Sequence, residues 1–394
     1  MTWLRRALLA ASLLACSVPL PGCSGDGGST GQGGSGATTG ATSSASSGPG
    51  GAGGSGATTA STTGATTGSS GQGGGGAGVP SCPDVTVCDA PLPDVGVARD
   101  WVHLTNSLTA ATGFANHRGR DMFYNPGDTV WVFAKFAYGL LDDDIQDDDV
   151  DVYLNRDCGA GWESLGTVRT TSDGDHATVE GVDDTGGWVY LDATSLGLGE
   201  GRHRFLFVLG GDLSMAETYV DIVPSGTPLV VTDVDGTLTT QEAEEFTALL
   251  TGSLPDANPD AAEALGTLAD KGYRIFYLTA RPEYLGGRTR QFLAAHGFPL
   301  GLVHTTLTYG GATGASAATF KTQELADLAA RGLVPSWAFG NTDSDAEAFS
   351  NAGISPAAQR VMFQYDDPTY GSRRIESYTE LLPELSALPD AVCP

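Results

Sequence analysis

Basic residues are scarce in this chain: 20 Lys and Arg stand against 47 Asp and Glu in 394 residues, a formal charge of −27. So acidic a chain argues against binding nucleic acid or polyphosphate through a basic face, and predicts repulsion from anionic membranes. A long apolar run is also missing. The strongly apolar stretch near the start, Ala7 to Ala15, falls short of the roughly 20 residues needed to span a bilayer. Residues 24–78 lack almost any side chain that could build a core, being nearly all Gly, Ser, Thr and Ala. Such a composition predicts a flexible tether, with an r.m.s. reach on the order of 40 Å for about 55 residues. Cysteines are few, six in all, and four of them (Cys82, Cys88, Cys158, Cys393) follow the tether. Without a paired histidine beside the loose Cys82–Cys88 spacing, a zinc site is the weaker reading. Two disulfides, with three possible pairings, are the stronger one.

At the start, Arg5-Arg6 and the apolar run form a targeting segment, residues 1–23. Leu20-Pro21-Gly22-Cys23 resembles a bacterial lipobox, which implies lipidation of Cys23; Leu13-Leu14-Ala15-Cys16 is a second, weaker match. The resemblance implies a lipid-anchored protein of the cell envelope. Ser24, where inner-membrane lipoproteins commonly carry Asp, favours the outer membrane. A tether also lets a lipid substrate meet the domain at raised local concentration in spite of the acidic surface.

The roughly 315 residues from Val79 onward suit two cores. Residues 79–225 carry β-rich runs at 129–136, 150–154, 187–191, 204–209 and 218–223, separated by turns such as Asn-Pro-Gly-Asp, and predict an immunoglobulin-like antiparallel β-sandwich. Asp142 to Asp149 reads as a solvated acidic loop, with calcium ligation as the rival. Asn116-His117-Arg118-Gly119-Arg120 reads as a polar loop with the chemistry to bind phosphate.

Residues 226–394 are organised around Leu229-Val230-Val231-Thr232-Asp233-Val234-Asp235-Gly236-Thr237. An apolar β-branched run ends at two carboxylates one residue apart, which predicts a buried parallel strand delivering acids at its carboxyl end. A helix-loop-helix calcium site would place the glycine later and a helix before it. Helices are expected at 242–250, from Asn258-Pro259 to Lys271-Gly272, and at 323–330. Further strands are expected near 273–278, 301–305, 336–340 and 361–365, making a doubly wound parallel sheet. The second strand ends at Thr279-Ala280-Arg281. Phe320-Lys321 and Gly340-Asn341-Thr342-Asp343-Ser344-Asp345 follow, and Ser344 with Glu347 fits a capping box.

Taken in order, these four segments resemble the motifs of haloacid dehalogenase superfamily phosphatases. Leu-Thr-Ala-Arg followed by Thr289-Arg290 is similar to the phosphatase domain of lipins and of Nir-type phosphatidylinositol transfer proteins. The resemblance implies a nucleophile at Asp233 and an acid/base at Asp235. It implies phosphoryl contacts from Gly236, Thr237, Thr279, Ala280, Arg281 and Lys321. It also implies Mg2+ held by Asp233, Asp235, Asn341 and Asp345, with Asp343 an extra carboxylate that can replace either of the last two. Arg281 and Arg290 are read as orienting substrate or holding the loop, with packing as the alternative. The gaps between motifs leave no room for a cap domain. The expected function is Mg2+-dependent hydrolysis of phosphatidate or a related lipid phosphomonoester. The alternatives are a soluble or protein-linked phosphomonoester as substrate, and non-catalytic lipid binding of the Nir type, from which the presence of Asp233 departs.

Overall fold

The computed structural model describes residues 82–139, 141–240 and 254–394. The targeting segment, Cys23, the tether and the helix expected at 242–250 lie outside the described residues.

The amino-terminal half is a sandwich of two sheets. One is ordered Arg118–Arg120, Trp131–Lys135, Trp188–Asp192; the other Met122–Tyr124, Met215–Ile222, Gly201–Leu209, Asp149–Asn155, Glu163–Arg169. Pairing is antiparallel except between Met122–Tyr124 and Met215–Ile222. Alternation explains the inner faces: Val150, Val152 and Leu154 are buried while Asp149, Asp151 and Tyr153 between them are not. The strand Glu163–Arg169 was not legible in the sequence, since it lies at an edge and buries none of its residues. The helix Leu104–Thr112 is a further element without a strong periodic signal. Disulfides join Cys82 to Cys393 and Cys88 to Cys158, selecting one of the three pairings.

The carboxyl-terminal half is a six-stranded, wholly parallel sheet: Leu229–Thr232, Arg274–Leu278, Gly301–His304, Pro335–Gly340, Arg360–Phe363 and Arg373–Ile375. In space the order is third, second, first, fourth, fifth, sixth, the doubly wound arrangement. The switch point falls at the carboxyl end of the first strand. Val230, Ile275 and Tyr277 pack into one core while Leu229, Val231, Phe276 and Leu278 pack into another on the opposite face. The first strand is buried at every residue, as a central parallel strand must be.

Three local expectations are corrected. The helix after Asn258-Pro259 spans Ala261–Asp270 with Asp260 at its N-cap. The Asn258 side chain instead donates to Thr237 O (2.8 Å) and Thr239 O (3.0 Å), latching the loop after the first strand. The next-to-last long helix runs Ala315–Ala330 and so begins eight residues before Gln323, with Lys321 inside it. The capping box at 343–351 belongs to Thr342 and Asp345, not to Ser344 and Glu347.

One surface reading is also replaced and another is refined. Residues 118–120 form a strand, and Arg118 and Arg120 are buried against carboxylates instead of lining a phosphate loop. In the acidic run, Asp142 pairs with Arg118, Asp144 with Lys135, and Asp147 and Asp149 with Arg169, while Asp148 accepts from Asn106 Nδ2 at 2.8 Å. Among the described residues no group of three His, Cys, Asp or Glu side chains is arranged to hold a metal. Most of the run is thus paired with basic neighbours, while Asp143 is exposed to solvent.

The two halves share buried polar contacts. Arg120 Nη2 donates to Glu324 Oε1 (2.7 Å), and His304 Nδ1 lies 2.5 Å from Glu324 Oε2. Arg290 Nη1 donates to Asp121 Oδ2 (2.6 Å), which also accepts from Val303 N (2.9 Å). Arg290 thus serves packing between the halves. Phe123 of the sandwich meets Phe276 of the sheet edge-on at 6.0 Å between ring centroids.

Burial pushes the Glu324 carboxyl up, but Arg120 and His304 outweigh it and hold it down at about 2, against an ordinary 4.5. A depressed folded value contributes stability above the unfolded value and loses it as pH falls. We expect unfolding free energy, measured in urea, to fall between pH 4.5 and about 2. Glu324→Gln should cost about 3–5 kcal/mol at pH 7, because Arg120 is left buried without its partner. The variant should also show a shallower acid limb; an unchanged acid limb would contradict the assignment.

Candidate active site

The site is built where four strand ends meet. Asp233 follows the first strand and continues its ladder, its N–H donating to Phe339 O at 2.8 Å. Gly236 turns the chain with φ +71°, a conformation L side chains rarely adopt. The loop beyond it is tied down by Asn258 and by the buried Tyr378, whose hydroxyl donates to Thr237 O at 3.1 Å.

Lys321 links the centre. Its buried Nζ donates to Asp233 Oδ1 (2.6 Å) and to Asp345 Oδ1 (2.5 Å). Asp345 Oδ2 accepts from the N–H groups of Asn341 and Thr342 (both 3.1 Å) and from Thr342 Oγ1 (2.7 Å). Asp345 therefore closes the amino end of the Asp343–Asn351 helix and anchors Lys321 at the same time. Only glycine fits at 340, since a Cβ there would clash with the Asp345 side chain.

Asp235 is held differently. Arg281 donates from Nε to both carboxylate oxygens (3.0 and 2.8 Å) and from Nη2 to Oδ1 (2.7 Å), while Thr279 Oγ1 donates to Oδ2 (3.1 Å). Arg281 Nη1 reaches Thr289 Oγ1 (2.9 Å), which fixes the guanidinium. Thr279 and Arg281, expected to contact a phosphoryl group, thus hold a neighbouring acid in place. Thr237 Oγ1 lies 3.1 Å from Asp233 Oδ2 and 2.9 Å from Asn341 Oδ1.

A cleft of about 410 Å³ opens onto these groups. Asp233, Asp235, Ala280, Arg281, Lys321 and Asp345 line it, whereas Gly236, Thr237, Thr279 and Asn341 do not. Asp343 stands apart, with Tyr365 Oη donating to its Oδ1 at 3.4 Å. Sequence reasoning missed the far wall, made by Tyr284, Leu285 and the loop 310–314. Its only signal was glycine spacing ahead of a helix. It also missed Thr342, Asn258 and Tyr378, which act through hydrogen bonds to loops distant in sequence.

Burial drives the Asp233 carboxyl well above the usual carboxylate range; Lys321 pulls it down, and the Asp345 and Asp235 charges push it further up. For Lys321, burial lowers the ammonium's proton affinity, but the two carboxylates more than reverse this and leave it a permanent cation. A buried carboxylate thus stands beside a fixed cation, at the carboxyl end of a parallel strand and open to a cleft, where open α/β sheets commonly bind ligands.

Fold and site together define a haloacid dehalogenase-like α/β domain preceded by an immunoglobulin-like β-sandwich. Residues 230–362 match the family model described as the LNS2 domain of PITM 1-3, and residues 115–222 match that of the PITM 1-3 β-sandwich domain. Protein retinal degeneration B of Drosophila melanogaster is 29% identical over 205 residues, covering 52% of this chain and 15% of that protein. Membrane-associated phosphatidylinositol transfer protein 2 of Mus musculus is 30% identical over 191 residues, covering 48% and 13%. The chain thus spans less than a fifth of the length of these curated relatives. A phosphoserine phosphatase from T. onnurineus is 14% identical with a TM-score of 0.27, covering 41% of this chain and 96% of that one.

Lys321→Met leaves Asp233 and Asp345 buried without their shared cation. A loss of about 3–5 kcal/mol at pH 7 is expected from urea unfolding. The raised Asp233 carboxyl takes up a proton as pH falls, so the penalty should shrink toward pH 5; a penalty that grows on acidification would refute this account.

Proposed function

We propose that the chain is a Mg2+-dependent phosphomonoester hydrolase acting through an aspartyl-phosphate on Asp233. The observation that carries the reading is the Lys321 ammonium seated between Asp233 and Asp345 at the floor of the cleft.

An Asp233 oxygen attacks phosphorus while the ester oxygen leaves and takes a proton from Asp235. Water then attacks the same phosphorus, gives its proton to Asp235, and releases phosphate and the Asp233 carboxylate. Arg281 and Thr279 keep Asp235 aimed through both transfers. Lys321 offsets charge on the nucleophile and on the phosphoryl oxygens, which lowers the cost of bringing two anions together.

The donor set fits a hard divalent cation. Asp233 Oδ2 and Asn341 Oδ1 lie within hydrogen-bond reach of the same Thr237 hydroxyl, which brings two hard oxygen donors together. Asp233, Asn341 and the Asp235 carbonyl would hold Mg2+, with Asp345 behind them. The ion supplies neutralisation of the charge that builds up around phosphorus.

The proposed substrate is phosphatidate or a related lipid phosphomonoester. Similarity to phosphatidylinositol transfer proteins supports a lipid, as does a cleft wall containing Pro282, Tyr284, Leu285, Ala312 and Ala317. The retained Asp233 favours turnover over binding alone. The proposal includes lipidation of Cys23 and a place in the cell envelope on the outer membrane.

Asp233→Asn should reduce Mg2+-dependent turnover well over ~10²-fold with the circular dichroism spectrum unchanged, because an amide cannot form the acyl-phosphate. With the wild type, phosphatidate in mixed micelles should be hydrolysed faster than glycerol 3-phosphate. The reverse order points to a soluble substrate, and phosphatidate binding without turnover points to a lipid-binding module.

Replacing Cys23 with Ser should move the protein from the membrane fraction to the soluble fraction on cell fractionation. A variant still in membranes contradicts the anchor.

A further inference from the structure

The parallel sheet has a second pocket at its amino-terminal edge, the end opposite Asp233. It measures about 320 Å³, and its lining includes Asp84, Thr86, Arg202, Thr227, Arg274 and Cys393. The chain on either side is strapped together there: Cys82 is bonded to Cys393, Cys82 N donates to Ala391 O (3.2 Å), and Ala391 N to Lys271 O (2.6 Å).

Arg274 opens the second strand and is only 6% exposed. Its backbone is satisfied, the N–H donating to Pro228 O at 2.9 Å, but the enclosed Nε has no hydrogen-bond partner. A buried guanidinium without a counter-ion is costly, and buried charges are ordinarily paired. The buried carboxylate that acts most on it, Asp221, is already engaged by Arg202, whose Nε donates at 2.7 Å and Nη2 at 2.9 Å. Two buried guanidiniums therefore face one buried carboxylate, and the other acids of the lining are exposed. Burial lowers the Arg274 pKa below its ordinary value, and the pull of Asp221 does not restore it. Asp84 and Glu200 lie exposed at the rim, where water screens them.

We propose that this pocket is an anion site in which the Arg274 guanidinium takes the phosphate or carboxylate group of a small molecule. The planar fork of arginine matches two oxygens of either group, and Thr86 and Thr227 line the same space. The disulfide strap forms one wall, so the site depends on an oxidised Cys82–Cys393 pair. This assignment is independent of the catalytic reading, because the pocket and the Asp233 cleft share no lining residue.

The test is calorimetric titration of the purified, disulfide-intact protein with inorganic phosphate, and separately with succinate as the carboxylate probe, at constant ionic strength. Arg274→Gln should weaken one class of binding at least tenfold, Arg274→Lys should weaken it less, and any phosphate bound in the Asp233 cleft should be unaffected. Equal binding by wild type and Arg274→Gln overturns the proposal. Should Arg274→Gln fail to fold, a crystal of the wild type soaked in phosphate decides: an oxyanion on Arg274 supports the site. An Asp84 or Glu200 carboxylate seated there instead refutes it.

Discussion

The ammonium of Lys321, buried between Asp233 and Asp345, is the contact on which the rest of the site depends. Three elements meet through it: the end of the first strand, the Ala315–Ala330 helix and the start of the Asp343–Asn351 helix. Two carboxylates this close and this buried repel one another, and the cation between them makes the arrangement stable. The same cation faces the cleft, so a group needed for folding is also available to an incoming anion.

Asp235 is governed by a separate clamp, Arg281 and Thr279, which shares no side chain with the Lys321 cluster. Two acids one residue apart in sequence are thereby placed in different electrostatic surroundings. One is desolvated and faces a lysine, and the other is gripped by a guanidinium. Such a difference in surroundings sets the proton affinities of neighbouring carboxyls apart.

The sandwich contributes to the cleft through charge. Arg118 Nη2 donates to Glu283 Oε1, and Glu283 starts the short turn that carries Tyr284 and Leu285 into the cleft wall. Arg118, Arg120 and Asp121 come from adjacent positions on the sandwich, and each reaches a different part of the α/β half. The wall opposite Asp233 is accordingly set from outside the domain that holds the motifs.

Local chemistry determined what the sequence alone could disclose. An apolar β-branched run stopping at Asp233 and Asp235 and the strand ending at Thr279 depend on neighbours a few residues away, so these strand ends were legible in order, whereas Lys321 and the Asn341 to Asp345 spacing were singled out only through their resemblance to family motifs. The parallel sheet was legible for the same reason, its central strands being continuous apolar runs. The pairing of those acids with particular cations was not legible. Arg118 and Arg120 looked like a surface loop and Asn258 like a helix cap, because a hydrogen bond to a residue dozens of positions away has no signature in local pattern. The cysteine pairing was open among three choices for the same reason: only the closed fold brings Cys82 to Cys393 across a separation of 311 residues. Periodicity records which side of an element is buried, whereas the partner of a buried charge is decided by which elements pack together.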